Sequence, residues 1–546
     1  MVPIYNETFG ISSKWLRARI KTALEIFGNQ ISEFIPQEIL TKENLISEKD
    51  AILKIHFPEN KDIADRARYR LAFDELFLIQ LSSLLRKKEW ETKVVGKKLQ
   101  VDPKKVLFFI NKLPFSLTSA QQRCIKEILS DLQKEVPMNR LLQGDVGSGK
   151  TVVAAIAAFV AYQNGYDTLI MAPTEILANQ HHVTLQSLLS PFGVPVELIT
   201  GSHKRVEEQE SRRVKTNNKT TRYQDSNLAN PKVIVGTHSL LYQEFEHYHV
   251  GLVVVDEQHR FGVEQRALLA KKGASPHFLT MTATPIPRTI ALTLFGDLNL
   301  SVIDEMPKGR LKVKTWVVPK EKRKNAYSWI RTHVKGTKEQ AFIICPLIEE
   351  SETLISIKAV TKEFLTLSKE IFPDLRLGLL HGKIKAKEKE KILTELKEGK
   401  LDILVSTPVV EVGIDIPDAT IMMIEGADRF GLAQLHQLRG RVGRSDLQSF
   451  CLLFTENETP MVIKRLKSLE KTSLGMELAE LDLKLRGPGE VYGTKQHGFP
   501  DLCVATFTDL NLIQKTRFWA EQIANSQSSP LRSKLEKYKI ENIGPN

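Results

Sequence analysis

Short runs rich in Val, Ile and Leu recur through the middle of the chain, separated by longer stretches whose apolar residues fall at helical spacing. Thr168–Ala172, Val194–Ile199, Lys232–Gly236, Leu252–Asp256 and Phe278–Thr282 read as buried strands, and Leu141-Leu142 ends another. Past a stretch punctuated by Pro307 and Gly309, a second series follows: Ala341–Cys345, Arg376–Leu380, Asp402–Ser406, Thr420–Ile424 and Phe450–Phe454, interleaved with helices such as Lys387–Glu398 and Leu432–Leu438. Runs that are continuously apolar, with helices between them, predict parallel sheets covered on both faces. Two such α/β halves joined by a linker over Asp304–Lys314 predict a cleft that a ligand can close.

The flanks follow other patterns. Ile63–Trp90 reads as a long helix in which Phe73, Phe77, Leu81 and Leu84 form one apolar stripe, opposite a polar face of Arg68, Arg70, Asp74 and Arg86. Small helices are expected over Gly10–Lys49. Lys97–Lys112 carries five lysines around Val101, Val106 and Leu107 and reads as a solvated connector. His203–Asn230 is almost wholly polar and predicts an exposed, disordered insertion. From Glu456 onward the pattern is helical, except where glycines and prolines over Leu485–Pro500 force a loop. The implied organisation is a helical segment with connector over 1–112, an α/β domain over 113–305, a linker over 306–314, a second α/β domain over 315–458 and a helical and loop region over 459–546.

Composition narrows the class of partner. At 546 residues the chain exceeds a single core, and 77 Lys plus Arg against 65 Asp plus Glu leave a net charge of +12, which favours a polyanion such as nucleic acid. Cys124, Cys345, Cys451 and Cys503 lack the spacing of a zinc site or disulfide framework, suit a reducing cytosol and are expected to be packing residues. Met1–Gln30 has no signal-peptide core, and Val152–Tyr162 is too short to span a bilayer; a cytoplasmic protein is expected.

The chemistry begins at Gly144-Asp145-Val146-Gly147-Ser148-Gly149-Lys150-Thr151, a G-x-x-x-x-G-K-T loop between a strand and an Ala/Val-rich helix. Glycines let backbone N–H groups turn onto phosphate oxygens at a positive helix end; Lys150 would reach the β/γ-phosphates and Thr151 would ligate Mg²⁺. The loop alone suits a kinase or a GTPase as well as a motor. Asp256 and Glu257 close an apolar strand, so Asp256 would hold the metal and Glu257 would polarise the attacking water. Arg441 and Arg444, in Gln437-Leu438-Arg439-Gly440-Arg441-Val442-Gly443-Arg444, offer guanidinium groups from the second half for the charge that develops on the γ-phosphoryl.

Taken in order, Gln121, the Lys150 loop, Ala172-Pro173-Thr174-Glu175, Gly236-Thr237-His238, Asp256-Glu257-Gln258-His259, Thr282-Ala283-Thr284 and the Arg441/Arg444 block resemble the motifs of superfamily-two helicases. The longer signatures Asp256–Val263, Met281–Thr289 and Arg429–Gln437 are similar to those of the RecG family of branched-DNA translocases. Arg486-Gly487-Pro488-Gly489 and Gly493–Gly498 resemble the translocation motif that RecG shares with the transcription-repair coupling factor, and Arg68–Leu85 resembles the helical segment ahead of the RecG motors.

The resemblance implies two tandem RecA-like parallel-sheet motor domains with a helical N-terminal segment and a C-terminal translocation element. It further implies ATP and Mg²⁺ as cofactors, branched and duplex DNA as partner, no membrane, and a monomer in the bacterial cytosol that acts in recombination and repair. Gln121 would read the adenine edge, and Gly144, Asp145, Gly147, Ser148, Gly149, Lys150 and Thr151 would hold the nucleotide. Thr282 and Thr284 would link cleft to DNA, along a track lined by Pro173, Thr174, Thr237, His238, His381, Lys383 and Thr407, with Arg486 and Gln496 coupling closure to stepping. RecG proteins carry an oligonucleotide-binding wedge ahead of the helical segment; none is readable here, which implies a truncated product and leaves junction recognition and contact with single-strand-binding protein open. The polar insert is longer than its counterpart in the family, and Pro408 stands where a hydroxyl residue is usual. A coupling-factor-like duplex translocase and a non-catalytic DNA-binding scaffold are the alternative readings.

Overall fold

The computed structural model describes residues 3–5, 7, 11–93, 96–200, 231–237, 240, 249–257, 275–287, 290–291, 293, 296, 298–307, 309, 311–346, 353–408, 416–443, 445–486, 502–506, 509–524, 531 and 534–535. The polar insertion at 203–230 and positions 487–500 of the irregular loop predicted over Leu485–Pro500 lie outside the described residues, and Leu485 and Arg486 end a helix instead. The chain forms two compact units, one of Met1–Lys93, Arg288–Leu298 and Arg486–Asn546, the other of Val94–Pro287 and Asn299–Leu485.

The first unit is built on the helix Lys61–Lys93, about 50 Å long at the usual rise of an α-helix. Helices Glu48–His56 and Leu510–Ile523 pack along it. Of the predicted stripe, Phe73, Phe77 and Leu81 are buried and Leu84 is half-buried, and Leu76 is buried beside them. The opposite face is only partly solvated: Arg68 and Arg86 are exposed, but Arg70 and Asp74 are buried. The Arg70 guanidinium donates to Glu33 Oε1 at 2.7 Å, to Asp74 Oδ1 at 2.8 Å and to the Ile46 carbonyl at 2.5 Å. A buried cation requires such partners, and an amphipathicity count cannot see them because Glu33 and Ile46 come from other turns of the chain. Glu75 fixes the segment 503–505, its carboxylate accepting from the backbone N–H groups of Cys503, Val504 and Ala505.

The second unit holds two sheets. In the first sheet β1 (Asn139–Gly144), β2 (Asp167–Met171), β3 (Val196–Ile199), β4 (Val233–Gly236), β5 (Val250–Asp256), β6 (His277–Thr282) and β7 (Asn299–Ile303) lie in the order β3-β4-β2-β5-β6-β1-β7. The second sheet comprises β8 (Lys314–Val318), β9 (Gln340–Ile344), β10 (Leu377–Leu380), β11 (Ile403–Ser406), β12 (Ala419–Ile424) and β13 (Phe450–Phe454), ordered β10-β11-β9-β12-β13-β8. Every pairing is parallel. The central strands are buried along their whole length, as crossover helices on both faces demand. Helix Lys150–Gln163 buries every residue from Val152 to Ala161, which accounts for its small, apolar composition.

Three expectations are corrected. The lysine-rich stretch is no connector: Leu99 is buried, and Pro103–Asn111 forms a helix, capped by Asp102, that buries Val106 and Phe109. Phe109 lies with its ring centroid 4.4 Å from Phe192 and 4.9 Å from Phe159, while Lys98, Lys104, Lys105 and Lys112 are exposed and Lys97 donates to the Val250 carbonyl at 3.2 Å. Lys314, placed at the end of the linker, instead opens β8. Cys124, Cys345 and Cys451 are buried, but Cys503 is exposed and packs into no core. Among the described residues no helix is long and apolar enough to cross a membrane.

Candidate active site

Strand order creates the site. β6 lies between β5 and β1, with Met281 level with Asp256 and Thr282 level with Gln143, so the phosphate loop, the acidic pair and Thr282 emerge side by side at the carboxyl ends of three neighbouring strands. Gly147 (φ 79°) and Gly149 (φ 88°) adopt left-handed backbone, which the loop needs to turn its N–H groups inward. The Lys150 amine donates to the carbonyls of Gly144 at 2.7 Å and Asp145 at 3.2 Å. Burial lowers its pKa, more than the nearby Asp256, Glu257 and Asp145 raise it. Ser148 is buried, and its hydroxyl has no hydrogen-bond partner among the described residues. Gln121 Nε2 donates to the Ser148 carbonyl at 2.8 Å while its Oε1 accepts from the N–H of Thr118, the N-cap of helix Ser119–Leu132. The amide predicted to read adenine thus braces the phosphate loop.

Asp256 is buried at the end of β5, where Oδ2 receives a 2.7 Å hydrogen bond from His181 Nε2 and Oδ1 accepts from the Glu257 N–H. Burial pushes this carboxyl up, but the His181 bond and the Lys150 charge outweigh it and hold Asp256 below the usual carboxylate range. Glu257 is raised, by burial first and then by Asp256 beside it, and sits at φ 54°, a strained conformation for a residue with a side chain. The two carboxyls are thereby separated into a persistent anion and a group nearer to proton exchange.

The second sheet's domain reaches this site. Arg441 is buried, and its guanidinium is close enough to depress the pKa of both Lys150 and Glu257. Gln437 Nε2 donates to Thr284 Oγ1 at 3.1 Å. Asp145, in the phosphate loop, accepts from His436 Nε2 at 3.2 Å and from the Gly475 N–H at 3.1 Å. Arg444, the second predicted finger, lies outside the described residues, as do His238 and Gln496.

Family models match in chain order: a DEAD/DEAH box helicase domain over residues 118–293, a helicase conserved C-terminal domain over 324–446 and the C-terminal part of domain 3 of the ATP-dependent DNA helicase RecG over 472–537. The RecG helicase of Synechocystis is 47% identical over 93% of this chain and that of Thermotoga maritima 44% over 96%; the chain spans 60% and 65% of their lengths. The RecG helicase of Streptococcus pneumoniae is 42% identical over 96% of this chain and 76% of its own length. The chain belongs to the RecG family. A solved RecG structure, bound to a three-way DNA junction, superposes with a TM-score of 0.75 and 39% identity over 95% of this chain and 66% of that one.

Against this RecG frame the remaining predicted residues fall at strand ends. Pro173 and Thr174 follow β2, where the Thr174 hydroxyl caps helix Glu175–Leu189, and Thr237 follows the neighbouring β4. His381 and Lys383 follow β10, and Thr407 follows the adjacent β11 in the second sheet. His381 Nδ1 and the hydroxyl of buried Thr407 have no hydrogen-bond partner among the described residues. Burial first, then Lys389, lowers the His381 pKa. Arg486 is the last residue of helix Gly475–Arg486.

Sequence reasoning assigned no role to His181, His436, Gln437 or Gly475. His436 and Gln437 stand inside a quoted signature, so their position marked them; His181 and Gly475 carried no local signal at all.

Proposed function

We propose that the chain is an ATP-driven double-stranded DNA translocase that rewinds or reverses branched DNA, such as stalled forks and Holliday junctions. One observation carries the reading: the second α/β domain meets the nucleotide site of the first, His436 lying 3.2 Å from Asp145 and Gln437 donating to Thr284 at 3.1 Å, with Arg441 beside Lys150 and Glu257. A cleft walled by both domains lets hydrolysis change their separation, and kinases or GTPases of a single α/β domain have no such second wall.

The residues present fit a magnesium nucleotide. Asp256 is kept anionic by His181 and Lys150, Thr151 opens the helix after the loop, and the buried Ser148 hydroxyl awaits a partner. Thr151 and Asp256 would hold Mg²⁺, which when bound neutralises phosphate charge. Lys150 exchanges two backbone carbonyls for phosphate oxygens, a change that strengthens a charge-assisted bond. Glu257, raised by its surroundings, accepts the proton of the attacking water, and Arg441, joined by Arg444, meets the negative charge that develops on the γ-phosphoryl.

The DNA partner is supported by the net charge of +12 and by the place of His381, Lys383 and Thr407 just past the carboxyl ends of adjacent strands. The junction held by the solved RecG relative supports branched DNA as substrate. Such contacts position a duplex without reading its sequence, as a translocase requires.

ATP turnover on single-stranded, duplex and forked DNA, together with movement of a labelled junction, tests the reading. Lys150→Ala abolishes turnover. Arg486→Ala leaves DNA-stimulated turnover intact and stops junction movement. Junction movement by Arg486→Ala at the parent rate would remove the coupling role, and no DNA stimulation in the parent would favour a binding scaffold.

A further inference from the structure

The phosphate loop is bonded directly to the element that leads into the translocation segment. Asp145 Oδ2 accepts from the N–H of Gly475, the first residue of helix Gly475–Arg486, so a carboxylate from the loop caps that helix across the cleft. An anion at this end satisfies an otherwise orphaned donor and complements the helix dipole. Burial raises the Asp145 carboxyl, but the hydrogen bonds from His436 and the Gly475 N–H, with the Lys150 charge nearby, outweigh it and keep Asp145 ionised.

The aim of Asp145 is set by a relay. Arg439 donates to the carbonyls of Leu469 and Thr472 at 2.7 and 3.1 Å and to His436 Nδ1 at 2.8 Å. An imidazole nitrogen that accepts from guanidinium carries no proton, so the hydrogen sits on Nε2, which donates to Asp145 Oδ1. Packing around the relay leaves no slack. A Cβ on Gly475 would lie 2.4 Å from Asp145 Oδ1 and 2.8 Å from His436 Nε2, and one on Gly440 would lie 3.1 Å from Val146 Cβ. Farther along the helix, Asp482 accepts from the N–H of Leu432 at 2.9 Å, the first residue of the helix Leu432–Arg439 that carries His436. Helix 475–486 is therefore held at its start by the phosphate loop and along its body by the helix bearing the relay.

We propose that the Asp145 carboxylate passes the filling of the phosphate loop to helix 475–486, with His436 as the positioning residue that aims it. Lys150 now bonds the Asp145 carbonyl; drawing the amine onto phosphate releases that carbonyl, turns the peptide and moves the carboxylate that caps the helix. The far end of the helix is Arg486, so the displacement arrives where the coupling role was assigned. This rests on the translocase reading.

The test uses the full chain and three variants: His436→Leu, which fills the volume without the donor; His436→Gln, which keeps a donor amide; and Gly475→Ala. Turnover is measured for each variant alongside junction movement, so that movement is read per ATP consumed. Base pairs of junction moved per ATP fall about tenfold in His436→Leu and Gly475→Ala, the equivalent of one lost hydrogen bond to a charged group, and His436→Gln recovers most of the loss. Amide exchange over 475–479 changes on adding a non-hydrolysable ATP analogue to the parent, and that change is absent in His436→Leu. Unaltered base pairs per ATP, or a parent-like nucleotide response in His436→Leu, would overturn the proposal. A parent that moves no junction would sink the translocase reading instead, and the exchange measurement would still decide the coupling. His436→Leu alone carries the test if Gly475→Ala does not fold.

Discussion

Replacing His181 by Leu probes how the carboxylate of Asp256 is kept ready for metal. The substitution removes the 2.7 Å donor to Oδ2 and leaves Oδ1 with the Glu257 N–H alone. A hydrogen bond to a buried charged group is worth about 1.5–3 kcal/mol, so Asp256 loses stabilisation of its ionised form by roughly that amount. The sign follows from the direction of its pKa. Asp256 lies below the ordinary carboxylate value in the folded chain, so its ionised form, and the stability it confers, is present at neutral pH and is lost only as pH falls through that lowered value. Without His181, burial is less opposed and the pKa rises. Half-saturation by Mg²⁺ then requires a concentration about tenfold higher or more, and the excess over the parent grows toward pH 5 as protons compete for Asp256, while the acid limb at saturating Mg²⁺ stays where the raised Glu257 sets it. Turnover measured from pH 5 to 8 across a Mg²⁺ titration reads both effects, and His181→Gln should restore most of each. A Mg²⁺ requirement identical to the parent's from pH 5 to 8 in His181→Leu would show that the bond does not set the charge of Asp256.

Two stability predictions concern the corrected elements. Phe109→Ala empties a fully buried site between Phe159 and Phe192 and should destabilise the second unit by about 3–5 kcal/mol, read as a lower denaturant midpoint; a change near zero would return 97–112 to the status of a connector. Arg70→Leu leaves Glu33 and Asp74 without their shared cation and should cost about 3–5 kcal/mol at pH 8. The cost should be smaller at pH 5. Burial has already pushed Asp74 up to about 7, so its ionised form grows more burdensome as pH rises toward that value, and a proton relieves it below. Equal losses at both pH values would refute that assignment.

The central strands were legible because burial on both faces forces continuous Val, Ile and Leu, a demand each strand meets within its own residues. Edge strands escape that demand. Lys314–Val318 exposes Lys314 and Trp316, and Asn299–Ile303 is only partly buried, so neither shows the run that marks an interior strand. The helix at 103–111 was misread for the converse reason: Val106 and Phe109 form too narrow a stripe to outweigh lysines, and the rings they meet lie far along the chain.

The site divides along the same line. The phosphate loop and acidic pair are legible because their chemistry is local, resting on glycines at positive φ and on carboxylates at a strand end. What aims those groups is not local. His181 stands 75 residues before Asp256, and Gly475 stands 330 residues after Asp145. A lone histidine or glycine looks the same in a sequence whether it fills space or orients a carboxylate, and only the fold supplies its partner. Residues that bind phosphate are constrained by phosphate, whereas residues that transmit its arrival are constrained by whichever element must move, here a helix beginning at Gly475 and ending at Arg486. Motif reading therefore finds the energy source before it finds the transmission. In this chain the transmission enters through Asp145, a loop residue whose carboxylate faces the second domain rather than the nucleotide's own ring of N–H groups.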